Sequence, residues 1–140
     1  SLYGNNPTPL LENQNVRPQN HYAVTKGLYE HCAECFCRLN PEIDVIGFRF
    51  MSVYGPNEEA KGEYANIISQ FAWDIVRGKT PIIYGDGKQF RDFTHVSDIV
   101  QGITLALECP KKLGAEIFNI GTGHSCSLNE IVQALASAFD

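Results

Sequence analysis

Little in this sequence points toward a membrane or a polyanion. No apolar run reaches the roughly eighteen residues that would suggest a transmembrane helix. The first residues, Ser1-Leu2-Tyr3-Gly4-Asn5-Asn6-Pro7, have neither a basic flank nor an apolar stretch, so no signal peptide is expected. Basic runs are lacking too. With 11 Lys and Arg against 16 Asp and Glu, the net charge is −5, and nucleic-acid binding has no electrostatic support. A modest negative charge still allows an anionic small ligand, which needs only a local Arg or Lys. Internal repeats and low-complexity segments are absent. Five cysteines occur, but no second Cys-x-x-Cys accompanies Cys32 and Cys35. A closed zinc site needs four ligands, so no metal site is expected. Cys32, Cys35, Cys37, Cys109 and Cys126 read as buried or half-buried thiols of a reduced, cytoplasmic protein. No Gly-x-x-Gly-x-x-Gly turn occurs anywhere.

What is present suits a globular chain. Its 140 residues suffice for one ordinary domain, with 44% apolar and 19% charged residues. The chain opens in what reads as a strand end. It closes in mid-helix at Ala136-Ser137-Ala138-Phe139-Asp140 without a C-cap signal, as expected of a piece of a longer protein.

The elements follow from periodicity. Ser1 to Gly4 reads as the strand end, and the polar, Asn- and Pro-rich residues 5–19 as a surface loop. A helix is predicted over 20–39, with Tyr22, Leu28, Cys32, Cys35 and Leu39 as its apolar stripe, ended by Asn40-Pro41. The nearly continuous apolar run 44–54 reads as a parallel strand buried on both faces. Gly55-Pro56-Asn57 turns the chain, and Glu58 to Glu63 reads as a charged, exposed loop. A second helix is predicted over 64–78, with Ile67, Ile68, Phe71, Ile75 and Val76 inward. Pro81 to Tyr84 reads as a short strand and Gln89 to His95 as an extended run. A helix over 98–108 turns Ile99, Ile103, Ala106 and Leu107 inward. Glu116 to Gly121 forms another strand, and Ser127-Leu128-Asn129-Glu130 is a capping box that opens the last helix. This alternation predicts an α/β fold.

Within the first helix, Tyr22 and Lys26 stand one turn apart on one face. An ammonium beside a phenol favours the phenolate, which can take a proton from an alcohol near neutral pH and so prepare a carbinol to give up hydride.

Four stretches then align in order: Tyr22-x-x-x-Lys26, Arg49-Phe50-x-x-Val53-Tyr54-Gly55-Pro56, Gly85-Asp86-Gly87-x-x-x-Arg91-Asp92-Phe93 and Phe118-Asn119-Ile120-Gly121-Thr122-Gly123. In this register the chain closely resembles the extended short-chain dehydrogenase/reductase family, in its nucleotide-sugar epimerase/dehydratase branch, and looks most like the UDP-hexose 4-epimerases. The resemblance covers essentially the whole chain. It implies a partial Rossmann domain at 1–57. It also implies a smaller nucleotide-sugar-binding domain at 58–140, with segments returning to the Rossmann sheet. The cofactor implied is NAD, and the substrate is a nucleoside-diphosphate sugar. The Gly-rich phosphate turn and the catalytic Ser/Thr of the family would lie upstream.

The resemblance also implies residue roles. Tyr22 would move the sugar hydroxyl proton, and Lys26 would hydrogen-bond the nicotinamide ribose. Phe50 and Met51 would run beside the nicotinamide. Ser52 and Asn66 would contact substrate, although many relatives carry Asn where Ser52 stands. Ile82 and Tyr84 would pack the nucleobase, and Arg91 would clamp the diphosphate through its bidentate fork. Ser1 occupies a slot where the dehydratase relatives carry Glu, which favours epimerisation over dehydration. Extended members commonly dimerise through the helix bearing the Tyr and Lys, which here carries Leu28, Cys32, Cys35 and Phe36. By itself the 140-residue chain would be inactive.

Overall fold

A computed structural model describes residues 2–139. In chain order the elements are α1 (His21–Leu39), β1 (Val45–Phe50), β2 (Ser52–Tyr54), a 3₁₀ helix (Glu59–Tyr64), α2 (Ile67–Val76), β3 (Phe90–His95), α3 (Val96–Leu107), β4 (Ala115–Ile120), β5 (Ser125–Ser127) and α4 (Leu128–Phe139). The α/β class follows. The chain divides into two compact units. One holds Ser1–Arg49 and Leu105–Asn119, the other Phe50–Thr104 and Ile120–Asp140.

In the first unit, α1 starts because Asn20, in extended conformation, accepts a hydrogen bond from the Ala23 N–H at 2.8 Å. It ends at Asn40, whose N–H still bonds the Phe36 carbonyl, just before Pro41. The face of α1 that is buried differs from the expected stripe. Ala23 and Gly27 are buried, while Tyr22, Leu28, Cys32, Cys35 and Leu39 are exposed. These two positions carry almost no side chain, and a Cβ added at Gly27 would sit in ordinary van der Waals contact with a Leu2 methyl, at 3.5 Å. The expectation of buried thiols is therefore corrected for Cys32 and Cys35, whereas Cys37, Cys109 and Cys126 are half-buried.

β1 and β4 form a two-stranded sheet. Val45 N–H bonds the Gly114 carbonyl, and six residues on, Met51 N–H bonds that of Ile120, so the strands run parallel. Both strands are half-buried rather than buried on both faces. The expected strand end at the start of the chain is instead a turn over residues 2–5, with Ser1 outside the described residues.

In the second unit β2, β3 and β5 form a sheet in that order. β2 lies parallel to β3, with Val53 opposite Thr94. β5 lies antiparallel, with Arg91 opposite Cys126. The single strand expected over 44–54 thus breaks at Met51, where the run changes pairing partner. Phe71, Ile99, Leu128 and Thr94 fill this unit's core, and α2 packs against α4. Val76 and Leu107, expected inward, sit at helix ends and are exposed.

Two further expectations are overturned here. Residues 81–84 form no strand, and Ile82 and Tyr84 stand out into solvent. Glu58 to Glu63 is not a simple exposed loop: Glu59–Tyr64 winds as a 3₁₀ helix and Glu58 is 4% exposed. The capping box forms as expected: Ser127 N–H donates to Glu130 Oε2 at 2.7 Å, and Glu130 N–H returns to Ser127 Oγ at 3.3 Å.

Candidate functional site

The first unit contributes Tyr22 and Lys26. Both lie in the opening turns of α1. The four-residue spacing brings Lys26 Nζ to 5.2 Å from the centre of the Tyr22 ring and 5.1 Å from that of Tyr29. An ammonium at this range is attracted to a ring face. Tyr22 is 62% exposed, so its phenol can meet a ligand. Lys26 makes no ion pair among the described residues.

The second unit brings Ser52 and Asn66 together. Asn66 caps α2, its Oδ1 accepting from the Ile68 N–H at 3.1 Å. Its Nδ2 donates to Ser52 Oγ at 3.1 Å and to the Val53 carbonyl at 2.8 Å. Glu58, expected to be a solvated charge, underlies this arrangement. It accepts from the Asn66 N–H at 3.2 Å, from Lys61 at 2.8 Å and from the Ser69 hydroxyl. Burial would raise the Glu58 carboxyl, but these donors outweigh it and hold the group below the usual carboxylate range. A run of Glu and Lys residues gives no sign of which carboxylate will turn inward, so the sequence carried no signal for it.

Arg91 lies on β3, exposed, and forms no ion pair among the described residues. The neighbouring Asp92 does not neutralise it because both Asp92 oxygens are engaged elsewhere. Oδ1 accepts from the Thr122 N–H at 2.9 Å and the Thr122 hydroxyl at 2.8 Å, and Oδ2 accepts from the Gly123 N–H at 2.8 Å. Burial tends to raise this carboxyl, yet the donors win and its pKa lies below the ordinary range. Gly121 is required by this closeness: a Cβ there would fall 2.7 Å from Asp92 Oδ2 and 2.7 Å from Met51 Cγ. The signal for Asp92 was its place after Arg91, together with a Gly-Thr-Gly run able to offer consecutive backbone donors.

Met51 is half-buried at the β1–β2 break, and Phe50 precedes it with its side chain partly exposed. Ile82 and Tyr84 are 68% and 83% exposed. They flank the approach to the Gly85–Gly87 bend, where Gln89 Nε2 holds the Tyr84 carbonyl at 3.1 Å. Among the described residues, neither side chain makes a hydrogen bond or ring contact to Ser52, Asn66 or Arg91. Among the described residues no group of three or more His, Cys, Asp or Glu side chains could hold a metal ion. No helix there is long and apolar enough to cross a membrane.

The chemistry available is therefore an exposed phenol with a cation over its ring, a hydrogen-bonded Ser52 and Asn66, and an Arg91 guanidinium without an ion-pair partner among the described residues. Similar proteins carry the same fold. The structure of UDP-glucose 4-epimerase with UDP-glucose from Thermotoga maritima matches with a TM-score of 0.86 and 33% identity, over 96% of this chain and 43% of that one. UDP-glucuronic acid 4-epimerase from Bacillus cereus, in complex with UDP-glucuronic acid and NAD, matches with a TM-score of 0.83 and 29% identity, over 98% and 42%. In sequence, ADP-L-glycero-D-manno-heptose-6-epimerase of Brachyspira hyodysenteriae is 34% identical over 142 aligned residues, 99% of this chain and 44% of its own. The chain thus spans about two fifths of the length of the curated relatives it matches. Residues 1–121 match the model of the NAD dependent epimerase/dehydratase family, and the chain belongs to that family.

Proposed function

We propose that the whole protein catalyses NAD-dependent epimerisation at C4 of a nucleoside-diphosphate sugar of the UDP-glucose/UDP-galactose type, through a transient 4-keto sugar. The observation that carries this reading is the exposed Tyr22 ring with the Lys26 ammonium 5.2 Å from its centre. Tyr22 takes the proton from the C4 hydroxyl and returns it after the sugar has turned over. Lys26 keeps a positive charge beside the phenol and donates to the nicotinamide ribose. The exposed Tyr22 ring, with half-buried Lys26 one turn on, suits a ligand lying across this face of α1. NAD, when bound, would supply the hydride acceptor for the first half of the reaction and the donor for the second.

The other residues bind. Phe50 and Met51 would flank the nicotinamide. Arg91 offers an unneutralised fork to the diphosphate. Ser52 and Asn66 supply short polar groups, and Ile82 and Tyr84 offer exposed apolar surface for a nucleobase. The domain boundary would lie near residue 57, the assembly would be a homodimer and the compartment cytoplasmic. The 140-residue chain alone, which contains no Gly-rich phosphate turn, would be inactive.

The test is interconversion of UDP-glucose and UDP-galactose by the whole protein, wild type against Tyr22→Phe. Loss of about 100-fold or more is expected, within the roughly 10²- to 10⁴-fold that acid–base catalysis contributes. Unchanged turnover in the variant would sink the assignment. The heptose-epimerase relative keeps a second sugar class in view, and turnover of an ADP-heptose instead would move the substrate while leaving Tyr22 in place. A 4-keto-6-deoxy product would mark a 4,6-dehydratase; Ser1, on which that distinction rests, lies outside the described residues.

A further inference from the structure

Beneath α1 lies a half-buried polar network that the proposed chemistry does not use. Arg49, on β1, holds Glu30 of α1 in a bidentate pair, Nε to Oε1 and Nη2 to Oε2, both at 2.8 Å. The side chains are only 9% and 18% exposed. Arg49 Nη1 also donates to the Tyr3 hydroxyl at 2.8 Å and to the Glu12 carbonyl at 3.3 Å. The Tyr3 hydroxyl donates onward to Asn119 Oδ1 at 2.7 Å, on β4, and Asn119 N–H reaches Glu12 Oε1 at 2.8 Å. The Arg49 guanidinium also lies over the Tyr3 ring, 4.9 Å from its centre. The Glu30 bonds raise the guanidinium pKa further above its ordinary value, so its charge is permanent.

The rest of the α1 interface cannot supply direction. Its fully buried positions are Ala23 and Gly27, which present almost no side chain, with Gly27 near a Leu2 methyl. Contact through such small residues sets how close the helix lies but resists rotation about its axis poorly, because apolar burial is non-directional. A planar fork on a carboxylate is directional. Glu30 lies one turn beyond Lys26 and about 12 Å along the axis from Tyr22. A rotation of about 10° would swing a phenol oxygen about 6 Å from the axis by ~1 Å, a displacement that can cost 100-fold in rate.

We propose that Glu30, Arg49 and the Tyr3 hydroxyl form a clamp that sets the rotational position of α1, making them positioning residues for Tyr22 and Lys26. This rests on the reading of Tyr22 and Lys26 as the acid–base pair. Lysine cannot replace Arg49, because an ammonium lacks the fork.

The test uses the whole protein with carbon-13-labelled leucine methyls, as wild type, Tyr3→Phe, Glu30→Gln and Arg49→Lys. The nuclear Overhauser contact between the Leu2 methyl and Gly27 reads the position of α1 directly. It should weaken at least twofold in every variant whose circular dichroism stays native. Tyr3→Phe, which keeps the ring and removes only the hydroxyl, decides if the others fail to fold. An unchanged contact in Tyr3→Phe overturns the clamp. In turnover, Tyr3→Phe should lower kcat roughly 10- to 100-fold with less than twofold change in KM for the sugar. It should cost nothing further in a Tyr22→Phe background; an equal further loss there would mean a merely structural role and overturn the proposal. A wild type inactive on UDP-glucose counts against the catalytic reading alone, since the methyl contact still decides the clamp.

Discussion

Asp92 and Glu58 illustrate how single carboxylates organise the binding unit. Each is surrounded by donors that favour its charged form, so each is held below the ordinary carboxylate pKa. A depressed folded value contributes stability that is complete above the unfolded pKa and is lost as pH falls through the folded one. Stability should therefore hold from neutral pH down to the ordinary carboxylate value of about 4 and decline below it. Asp92→Asn keeps the shape but turns one acceptor into a donor facing the Thr122 and Gly123 N–H groups. Its cost should be about 1 kcal/mol near neutral pH, a figure reduced for partial solvent exposure, and the decline below pH 4 should flatten. Urea melts at pH 7 and pH 3.5 check both. The placement of Tyr22 and Lys26 one turn apart on a helix, and of Arg91 on an extended run, was legible at this scale because it depends on neighbouring residues alone. Glu58 was not, since its partners Asn66 and Ser69 lie 8 and 11 residues away and only the winding of 59–64 brings them close.

At the scale of elements, boundaries written in side-chain chemistry were readable and faces were not. The Ser127–Glu130 box opened α4 where the spacing placed it. Ser127→Ala should lower stability by roughly 1 kcal/mol, as loss of an N-cap usually does, with thermal melting as the measurement. The buried face of α1 differs from its apolar stripe. Counting apolar residues favours Tyr22, Leu28 and Cys32, but the buried positions are Ala23 and Gly27, the latter within reach of a Leu2 methyl. Ala23, fully buried, should tolerate no larger residue. Ala23→Leu is expected to cost about 1–3 kcal/mol through overpacking, whereas Leu28→Ala on the exposed side should change the melting point little. The expected strand at 81–84 failed for a related reason. Its composition suits a strand, but among the described residues no strand pairs with it, and backbone groups without a ladder gain nothing from extension.

For the molecule as a whole, apolar exposure is the dominant feature. Among the described residues the buried apolar set is Leu2, Tyr3, Ala23, Ala65, Phe71, Ile99 and Leu128, while α1 alone exposes Val24, Leu28, Tyr29, Phe36 and Leu39. Surface of this kind favours association. The 140-residue chain should therefore self-associate in light scattering, and Leu28→Glu with Phe36→Glu should shift it toward monomer; a sharp monomer peak for the unmodified chain would contradict this. The sequence by itself determined the α/β class, the order of helices and most strands, and the positions of Tyr22, Lys26 and Arg91, since periodicity, caps and short motifs act over a few neighbouring residues. Only the tertiary structure decided which face of α1 is buried, where the run at 44–54 changes partners, and that Tyr3, Glu30, Arg49 and Asn119 form one network. Those contacts join residues up to 116 positions apart, and a hydrogen bond over that separation depends on how the elements pack, which no local pattern records.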